Sequence, residues 1–300
     1  MNSAVARKLR LGSVQYNLKR IKSVDDFFKQ VRGILTAASD YRCDLLVFPE
    51  YFSVQLLSVF PSSDSIHRDL FKIAELEKKF VEFFSSESNR LGLNIVAGTL
   101  PVVRGNNELR NASFIFSKSG KVDFQEKLHM TRFEKEEWLV KGGETLKVFD
   151  LGVAKIAVNI CYDIEFPELG RAAALAGAEI IVCPSCTDDR RGWYRVRACA
   201  AARAIENQVY VIQSSTVGTL EGVPSAHLNY GQAGILCPSD HGFSRDGVIA
   251  EGVVGEESIV FADVDLNLLS DVRKNGTVLT LKDSAVSPAL AAQISQISLR

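Results

Sequence analysis

The sequence predicts an α/β fold, and two patterns support this prediction. Short apolar runs rich in β-branched residues recur along the chain and are typical of buried strands, while stretches with helical spacing of apolar residues lie between them. Such alternation indicates an α/β architecture. The strand-like runs are Leu9 to Tyr16, Asp44 to Phe48, Leu93 to Leu100, Ala112 to Phe116, Ala154 to Ile160, Glu179 to Cys183, Val209 to Gln213 and Ser258 to Val264. The helical stretches are about Val24 to Ser39, Arg68 to Leu91, Pro167 to Ala178 and Trp193 to Gln208.

The pattern changes between Leu93 and Asp150. Several strand-like runs follow one another across turn signals at Arg104 to Asn107 and at Ser119-Gly120, and no convincing helix lies among them. We expect antiparallel hairpins there, and hence a mixed sheet. No low-complexity linker or internal repeat divides the chain, so residues 1–300 are expected to form a single domain.

Composition narrows the class of partner. The 35 basic and 36 acidic residues give a formal net charge of -1, which provides no broad positive field for nucleic acid or an anionic membrane. A small-molecule partner is therefore expected. The segment Met1 to Arg10 is basic but is followed by no apolar stretch of signal-peptide length, and no apolar run approaches the roughly 20 residues of a membrane helix. We expect a cytoplasmic protein whose six scattered cysteines are reduced thiols.

Three polar residues stand at the ends of strand-like runs, where α/β sheets place reactive groups. Glu50 follows a run closed by proline and lies among aromatic residues, so it is either a base with a raised pKa or a salt-bridged strand end. Cys161 lies at a strand-to-helix turn, where a thiol is either an outward-facing nucleophile or simply buried. Lys127 is either a surface residue or a cation that lowers the pKa of a nearby thiol and stabilises an oxyanion.

Five segments in order resemble the nitrilase superfamily of carbon-nitrogen hydrolases, whose catalytic Glu, Lys and Cys occur in this chain order. The resemblance runs from about Leu9 to Asp265. The matching segments are Phe48-Pro49-Glu50, Glu126-Lys127-Leu128-His129, Asn159-Ile160-Cys161-Tyr162-Asp163 through Phe166-Pro167-Glu168, Gly177-Ala178-Glu179-Ile180-Ile181 and Ala202-Arg203-Ala204-Ile205-Glu206-Asn207.

The resemblance implies a four-layer α-β-β-α sandwich of two mixed sheets. It also implies that Glu50 takes the thiol proton of Cys161, and that Cys161 attacks a carbonyl carbon. Lys127 and the backbone N–H of Tyr162 would hold the oxyanion. A second glutamate of the family corresponds best to Glu134, seven residues after the lysine, with Glu136 and Glu137 as alternatives.

The resemblance further implies a substrate site formed by Tyr51, Tyr162, Ser185, Cys186 and Trp193. One wall would be the loop from Ser185 to Trp193. Its charged residues either select a charged substrate or are merely solvated; they are Asp188, Asp189, Arg190 and Arg191. No histidine spacing typical of a metal site occurs, and we expect neither metal nor cofactor.

Within the family, an amidase or carbamoylase is favoured, because Tyr162-Asp163 follows the cysteine where true nitrilases usually have Trp-Glu. A nitrilase, an acyltransferase and an inactive binding relative remain alternatives. A nucleotide-binding regulatory protein would need a glycine-rich phosphate loop, and neither of the two common motifs appears. Family members pair through the helix after the nucleophile, so a homodimer or larger homo-oligomer is expected, with Pro167 to Ala178 as the central contact.

Overall fold

The computed structural model describes residues 7–61, 63, 65–223 and 226–299, and most of the basic segment Met1 to Arg10 therefore lies outside the described residues. Within these ranges, fourteen strands form one hydrogen-bonded sheet. The strands are β1 Lys8–Leu18, β2 Leu45–Val47, β3 Asn94–Val96, β4 Leu100–Arg104, β5 Glu108–Phe116, β6 Val122–Glu126, β7 Val148–Asp150, β8 Lys155–Val158, β9 Ile180–Ser185, β10 Tyr210–Thr219, β11 Leu228–Asn229, β12 Gly234–Leu236, β13 Val248–Glu251 and β14 Ser258–Asp265. The α-helices are α1 Val24–Asp40, α2 Ile66–Ala74, α3 Glu77–Leu91, α4 Arg132–Glu136, α5 Pro167–Leu175, α6 Arg190–Asn207, α7 Leu266–Asn275, α8 Thr280–Asp283 and α9 Ser287–Ala291.

Strand β1 joins the two halves of this mixed sheet. The strand order is β4-β5-β3-β2-β1-β10-β9-β8-β7. Strand β1 runs parallel to β2 and to β10, and antiparallel to β14. Strands β4, β5 and β6 form the antiparallel hairpins that were expected between Leu93 and Asp150.

Both faces of each half are buried. Leu46 of β2 and Phe48, which directly follows that strand, pack with helices α1 and α3 in one core, where the Phe48 and Phe84 rings meet edge to face. Leu45 and Val47 lie in a second core, which also contains apolar side chains of β8, β9, β10 and α6. Helix α5 packs on the same half of the sheet as α6. The predicted four-layer α-β-β-α sandwich is thus confirmed.

Two helix predictions were wrong in detail. The stretch Arg68 to Leu91 forms two helices, α2 and α3, and the apolar spacing continues across the break, so periodicity could not detect it. The hairpin region, in which no helix was expected, contains α4. Five residues are too few to show a 3.6-residue period. The Thr131-x-x-Glu134 pattern is, however, a capping box, which marks the start of a helix.

The strand ends bring the three candidate catalytic residues toward one edge. Glu50, Lys127 and Cys161 follow β2, β6 and β8, respectively. All six cysteines are free thiols. Across the described residues, none of the helices has the length and apolar character that a membrane span requires.

Candidate active site

Cys161 is the first residue of a 3₁₀ helix, Cys161–Glu165. Its φ of 48° lies in the left-handed region, which a non-glycine residue occupies only when its surroundings hold it there. Part of that support comes from helix α6, where Arg203 donates to the carbonyl oxygens of Ile164 (3.0 Å) and Glu165 (3.2 Å). The nucleophile candidate is therefore held rigidly, and its side chain is nearly buried.

Glu50 is buried between three donors. Its Oε1 accepts hydrogen bonds from Lys127 Nζ at 2.8 Å and from Asn111 Nδ2 at 3.0 Å, and its Oε2 accepts from the backbone N–H of Cys186 at 3.1 Å. The Cys161 thiol lies close enough to this carboxylate to influence its pKa, and its own hydrogen bond goes to the Cys186 carbonyl, 3.8 Å away. Burial raises the pKa of Glu50 to about 7 despite the neighbouring Lys127 ammonium.

Lys127 bridges two glutamates. Its Nζ donates to Glu50 Oε1 at 2.8 Å and to Glu134 Oε2 at 2.6 Å, and the side chain is almost fully buried. Burial alone would lower the pKa of this ammonium, but the carboxylates of Glu134 and Glu50 raise it well above its ordinary value. Lys127 therefore stays charged, and an ammonium has a third N–H to offer.

Of the three candidates for the second glutamate, Glu134 is the one that contacts Lys127. Its Oε1 accepts from the Tyr51 hydroxyl at 2.8 Å, and its Oε2 accepts from the backbone N–H of Thr131 at 2.9 Å and from the Thr131 hydroxyl at 2.8 Å. Burial would raise the pKa of Glu134, but Lys127 and these hydrogen bonds hold it below its ordinary value. Glu136 instead pairs with Arg132 at the surface.

The net shift in the pKa of the Cys161 thiol is upward, although Lys127 lies nearby. Lys127 does favour the thiolate, but burial and the adjacent Glu50 carboxylate outweigh it and raise the pKa of Cys161 well above its ordinary value. Lys127 acts on the thiol in the direction expected of a nearby cation, but it does not bring the pKa of Cys161 down to its ordinary value. The protein therefore rests with a neutral thiol beside a carboxylate.

Asp163 ties the lysine segment to the nucleophile segment. Its Oδ1 accepts from the backbone N–H of His129 at 2.7 Å, and its Oδ2 accepts from those of Leu128 at 3.1 Å and Ile160 at 3.3 Å. The His129 ring lies 3.2 Å from the same carboxylate. One buried side chain thus fixes the backbone on both sides of the site.

A cavity of about 450 Å³ opens at Cys161. Three predicted substrate contacts, Tyr51, Tyr162 and Cys186, line it. The other two do not: the Ser185 hydroxyl is buried and donates to the Cys183 carbonyl at 3.2 Å, and Trp193 Nε1 donates to the Gln232 carbonyl at 3.2 Å. The first two turns of α6 contribute Gly192, Arg195 and Val196 to this wall.

Sequence reasoning did not single out Asn111 and Thr131, which hold Glu50 and Glu134. Asn111 had a detectable signal, since a polar residue inside an apolar strand must find a partner when buried. For Thr131 the signal was the capping box. Among the described residues, no three His, Cys, Asp or Glu side chains are grouped to hold a metal ion.

Comparison with known proteins identifies the family. A model of the carbon-nitrogen hydrolase family matches residues 10–274. The chain belongs to the carbon-nitrogen hydrolase family. This carbon-nitrogen hydrolase is 42% identical over 275 residues to the probable hydrolase YhcX of Bacillus subtilis, a match that covers 92% of this chain and 53% of that relative. The chain thus spans about half the length of YhcX.

Two further similarities place this carbon-nitrogen hydrolase. It is 26% identical over 276 residues to omega-amidase NIT2 of Danio rerio, covering 89% of this chain and 92% of the relative. The crystal structure of Saccharomyces cerevisiae Nit3, a member of branch 10 of the nitrilase superfamily, superposes with a TM-score of 0.74 at 26% identity, covering 89% of this chain and 93% of that one. The predicted superfamily and hydrolase class are confirmed.

Proposed function

We propose that this carbon-nitrogen hydrolase is an amidase, which cleaves a small non-peptide amide or carbamoyl compound through a thioester on Cys161. The observation that carries the proposal is the Glu50 carboxylate: it is buried, lies beside the Cys161 thiol, and burial raises its pKa to about 7. A base with this pKa can take a thiol proton at neutral pH. The similarity to a protein named omega-amidase supports an amide substrate.

Acylation begins when Glu50 accepts the thiol proton while Sγ of Cys161 bonds to the carbonyl carbon. The carbonyl electron pair moves to oxygen, and the third N–H of Lys127 and the backbone N–H of Tyr162 stabilise this oxyanion. The first N–H groups of a helix lack intrahelical acceptors, so that of Tyr162 is available. Each donor is worth about 3 kcal/mol when well aimed.

Collapse of this intermediate breaks the carbon-nitrogen bond. Protonated Glu50 returns its proton to the nitrogen, which leaves as ammonia or an amine. Glu50 then accepts a proton from a water molecule that attacks the thioester; the carbon-sulfur bond breaks to release the acid, and the thiolate takes that proton back from Glu50, which restores the thiol. Glu134 keeps Lys127 in position throughout, because their ion pair is buried.

The test is turnover of an amide panel by Cys161→Ala, with ammonia release as the measurement. We expect kcat to fall by more than about a hundredfold, because the thioester requires the sulfur that lies beside Glu50. Cys199→Ser, on helix α6 outside the cavity, is the matched control and should keep wild-type kcat. Retention of more than about a tenth of the activity by Cys161→Ala would sink the assignment.

The same assay separates the alternatives. An amide and a nitrile of one acyl group are compared for kcat/KM, with and without hydroxylamine to trap the thioester. We expect the amide to react at least about tenfold faster, because nitrile cleavage requires two protonations of nitrogen and retention of a thioimidate. Equal rates would favour a nitrilase, and hydroxamate formed without hydrolysis would favour an acyltransferase.

A further inference from the structure

The cavity that contains Cys161 is lined by more acidic than basic side chains. Its carboxylates come from three separate segments: Glu137 follows helix α4, Glu165 ends the 3₁₀ helix of the nucleophile, and Asp188 lies in the loop after β9. The guanidinium groups that line it are those of Arg132 and Arg195.

Both arginines already have a carboxylate partner. Arg195 Nε lies 3.5 Å from Glu165 Oε1. Arg132 Nε lies 2.8 Å from Glu136 Oε1, and its side chain is 87% exposed, so it extends toward solvent. Asp188, by contrast, enters none of the ion pairs found among the described residues. Neither lining arginine is therefore an uncompensated cation that would receive an anionic substrate, and the contact with Arg195 likewise compensates part of the Glu165 charge.

The buried layer beneath adds to this imbalance. Glu50 and Glu134 share the ammonium of Lys127 there, and the Asp163 carboxyl accepts from three backbone N–H groups. Among the described residues, the cavity lining itself contains three acidic and two basic side chains, although the whole chain has a formal net charge of only -1. A cleft with an excess of one sign and low-dielectric walls concentrates its field and attracts the opposite charge.

Aromatic rings form much of the apolar part of the same lining, beside the aliphatic Val196 and Leu228. The rings belong to Tyr51, Phe133, Trp138 and Tyr162. The negative face of an aromatic ring attracts an ammonium or guanidinium group and gives nothing comparable to a carboxylate. Charge and ring lining therefore favour the same kind of ligand.

We propose that the substrate of this hydrolase carries a positive charge remote from the scissile amide, which Asp188 and Glu165 receive in the Cys161 cavity. The inference rests on the proposed amidase function, because it concerns the same cavity. Asp188 supplies a carboxylate near the cavity mouth. Glu165 lies four residues after the nucleophile and exchanges part of its contact with Arg195 for the substrate cation.

The first experiment compares three amides of similar length: γ-aminobutyramide, valeramide and succinamate, which are cationic, neutral and anionic. We expect kcat/KM to fall in that order, with at least about a tenfold gap between the cation and the anion, and added salt should narrow it. Asp188→Asn should lower the cationic-to-neutral ratio about threefold or more. Glu82→Gln, a surface carboxylate on α3 outside the cavity, should leave the ratio unchanged.

The second experiment does not depend on amide turnover. Alkylation of Cys161 by iodoacetamide and by iodoacetate is followed by mass spectrometry, with glutathione as the reference thiol. We expect the ratio of the iodoacetamide rate to the iodoacetate rate to be at least about tenfold higher for Cys161 than for glutathione. Equal selectivity, or preference for succinamate, would overturn the inference.

The two experiments separate the charge selectivity from the amidase function. If the alkylation contrast appears but no amide is hydrolysed, the charge selectivity stands and the amidase function fails. If all three amides are turned over equally, the amidase function stands and the charge selectivity fails.

Discussion

At the scale of single residues, the main feature of the resting site is the proton that the Cys161 thiol holds and that Glu50 can accept. Burial keeps Cys161 as a neutral thiol, and the same burial raises the pKa of Glu50 to about 7. Lys127 does not create a thiolate, because Glu50 and Glu134 already compensate its charge. Nucleophile activation in this protein is therefore proton transfer to a base during attack, in contrast to a preformed thiolate–cation pair.

The pH dependence of kcat/KM follows from the raised pKa of Glu50. The carboxylate must be deprotonated to accept the thiol proton, so activity should rise through about pH 7 and fall about tenfold per unit below it. The pKa values of Cys161 and Lys127 are both raised, so no alkaline decline is expected near neutrality. The measurement is a kcat/KM profile with one neutral amide.

Glu50→Gln supplies the control for that profile. Loss of the base should lower kcat/KM at least about a hundredfold and remove the acid limb, whereas Glu82→Gln should keep both. An acid limb that persists in Glu50→Gln would assign it to another group. If the acid limb of the wild-type kcat/KM profile lay near the ordinary pKa of a glutamate, burial would not raise the pKa of Glu50.

Motifs in the sequence identify Glu50, Lys127 and Cys161 because each stands beside a recognisable strand end. The same reasoning could not distinguish Glu134 from Glu136 by physics, since only the fold turns one of them inward toward Lys127. The sequence also could not show whether the pKa of Cys161 is raised or lowered. That direction depends on how many buried carboxylates surround one ammonium.

At the scale of elements, Asp163 joins segments that are 35 residues apart along the chain. It receives the N–H groups of Leu128 and His129 beyond β6, and that of Ile160 beyond β8. Because Lys127 and Cys161 are the neighbours of these donors, their separation depends on this carboxylate. Asp163 is a positioning residue.

Asp163→Asn tests this positioning. The substitution replaces one carboxylate oxygen with an NH₂ group, which faces backbone N–H donors that it cannot accept from. We therefore expect the unfolding free energy to fall by about 1–3 kcal/mol. We also expect kcat to fall about a hundredfold, with a smaller change in KM. Chemical denaturation and steady-state kinetics are the measurements. Asp271→Asn, on the exposed surface of α7, should change neither. A stability loss without a change in kcat would make Asp163 purely structural.

The elements themselves were predictable where they are long. Strand β1 and helix α1 have enough residues to show their period, while α4 does not. Helix α6 begins at Arg190, three residues before the predicted start, because Asp189 caps it by accepting from the Gly192 N–H at 2.6 Å. Capping chemistry locates such boundaries better than hydrophobic spacing does.

At the scale of the whole molecule, α5, α6 and the C-terminal helix α9 each expose a large apolar side chain. Large side chains exposed there include Leu175 at 65%, Ile205 at 42% and Leu290 at 65%. Exposed apolar groups on one layer indicate a surface that a partner covers. We propose that a second copy of the chain does so, as the sequence resemblance led us to expect.

Light scattering after size exclusion should therefore detect a dimer or a larger homo-oligomer. Leu175→Glu places a charge in the proposed contact, and we expect it to raise the dissociation constant at least about tenfold. Val253→Glu is the matched control, since that valine is 61% exposed but lies between β13 and β14. A wild-type monomer at micromolar concentration would contradict the proposal, as would a Leu175→Glu protein that assembles normally.

The α/β class could be predicted from the alternation of strand-like and helix-like segments. The arrangement of the fourteen strands of the described residues in two packed halves could not be predicted in this way. Strand β1 pairs with β2, β10 and β14, and such pairings between distant segments leave no periodic trace in the sequence. The four-layer sandwich was predicted from the family resemblance, because the topology of the family was already known. Physical reasoning from this chain by itself stops at the mixed sheet.

The buried, protonated thiol of Cys161 also governs how this protein ages in air or peroxide. Oxidation to sulfenic and then sulfinic acid begins at a thiolate, and a thiol with a raised pKa presents very few of them. The resting nucleophile is therefore slow to oxidise, and burial also raises the pKa values of Cys186 and Cys199, although these two thiols are partly exposed. Attack by Cys161 on an electrophile, whether a bound substrate or an alkylating reagent, requires Glu50 to take the thiol proton.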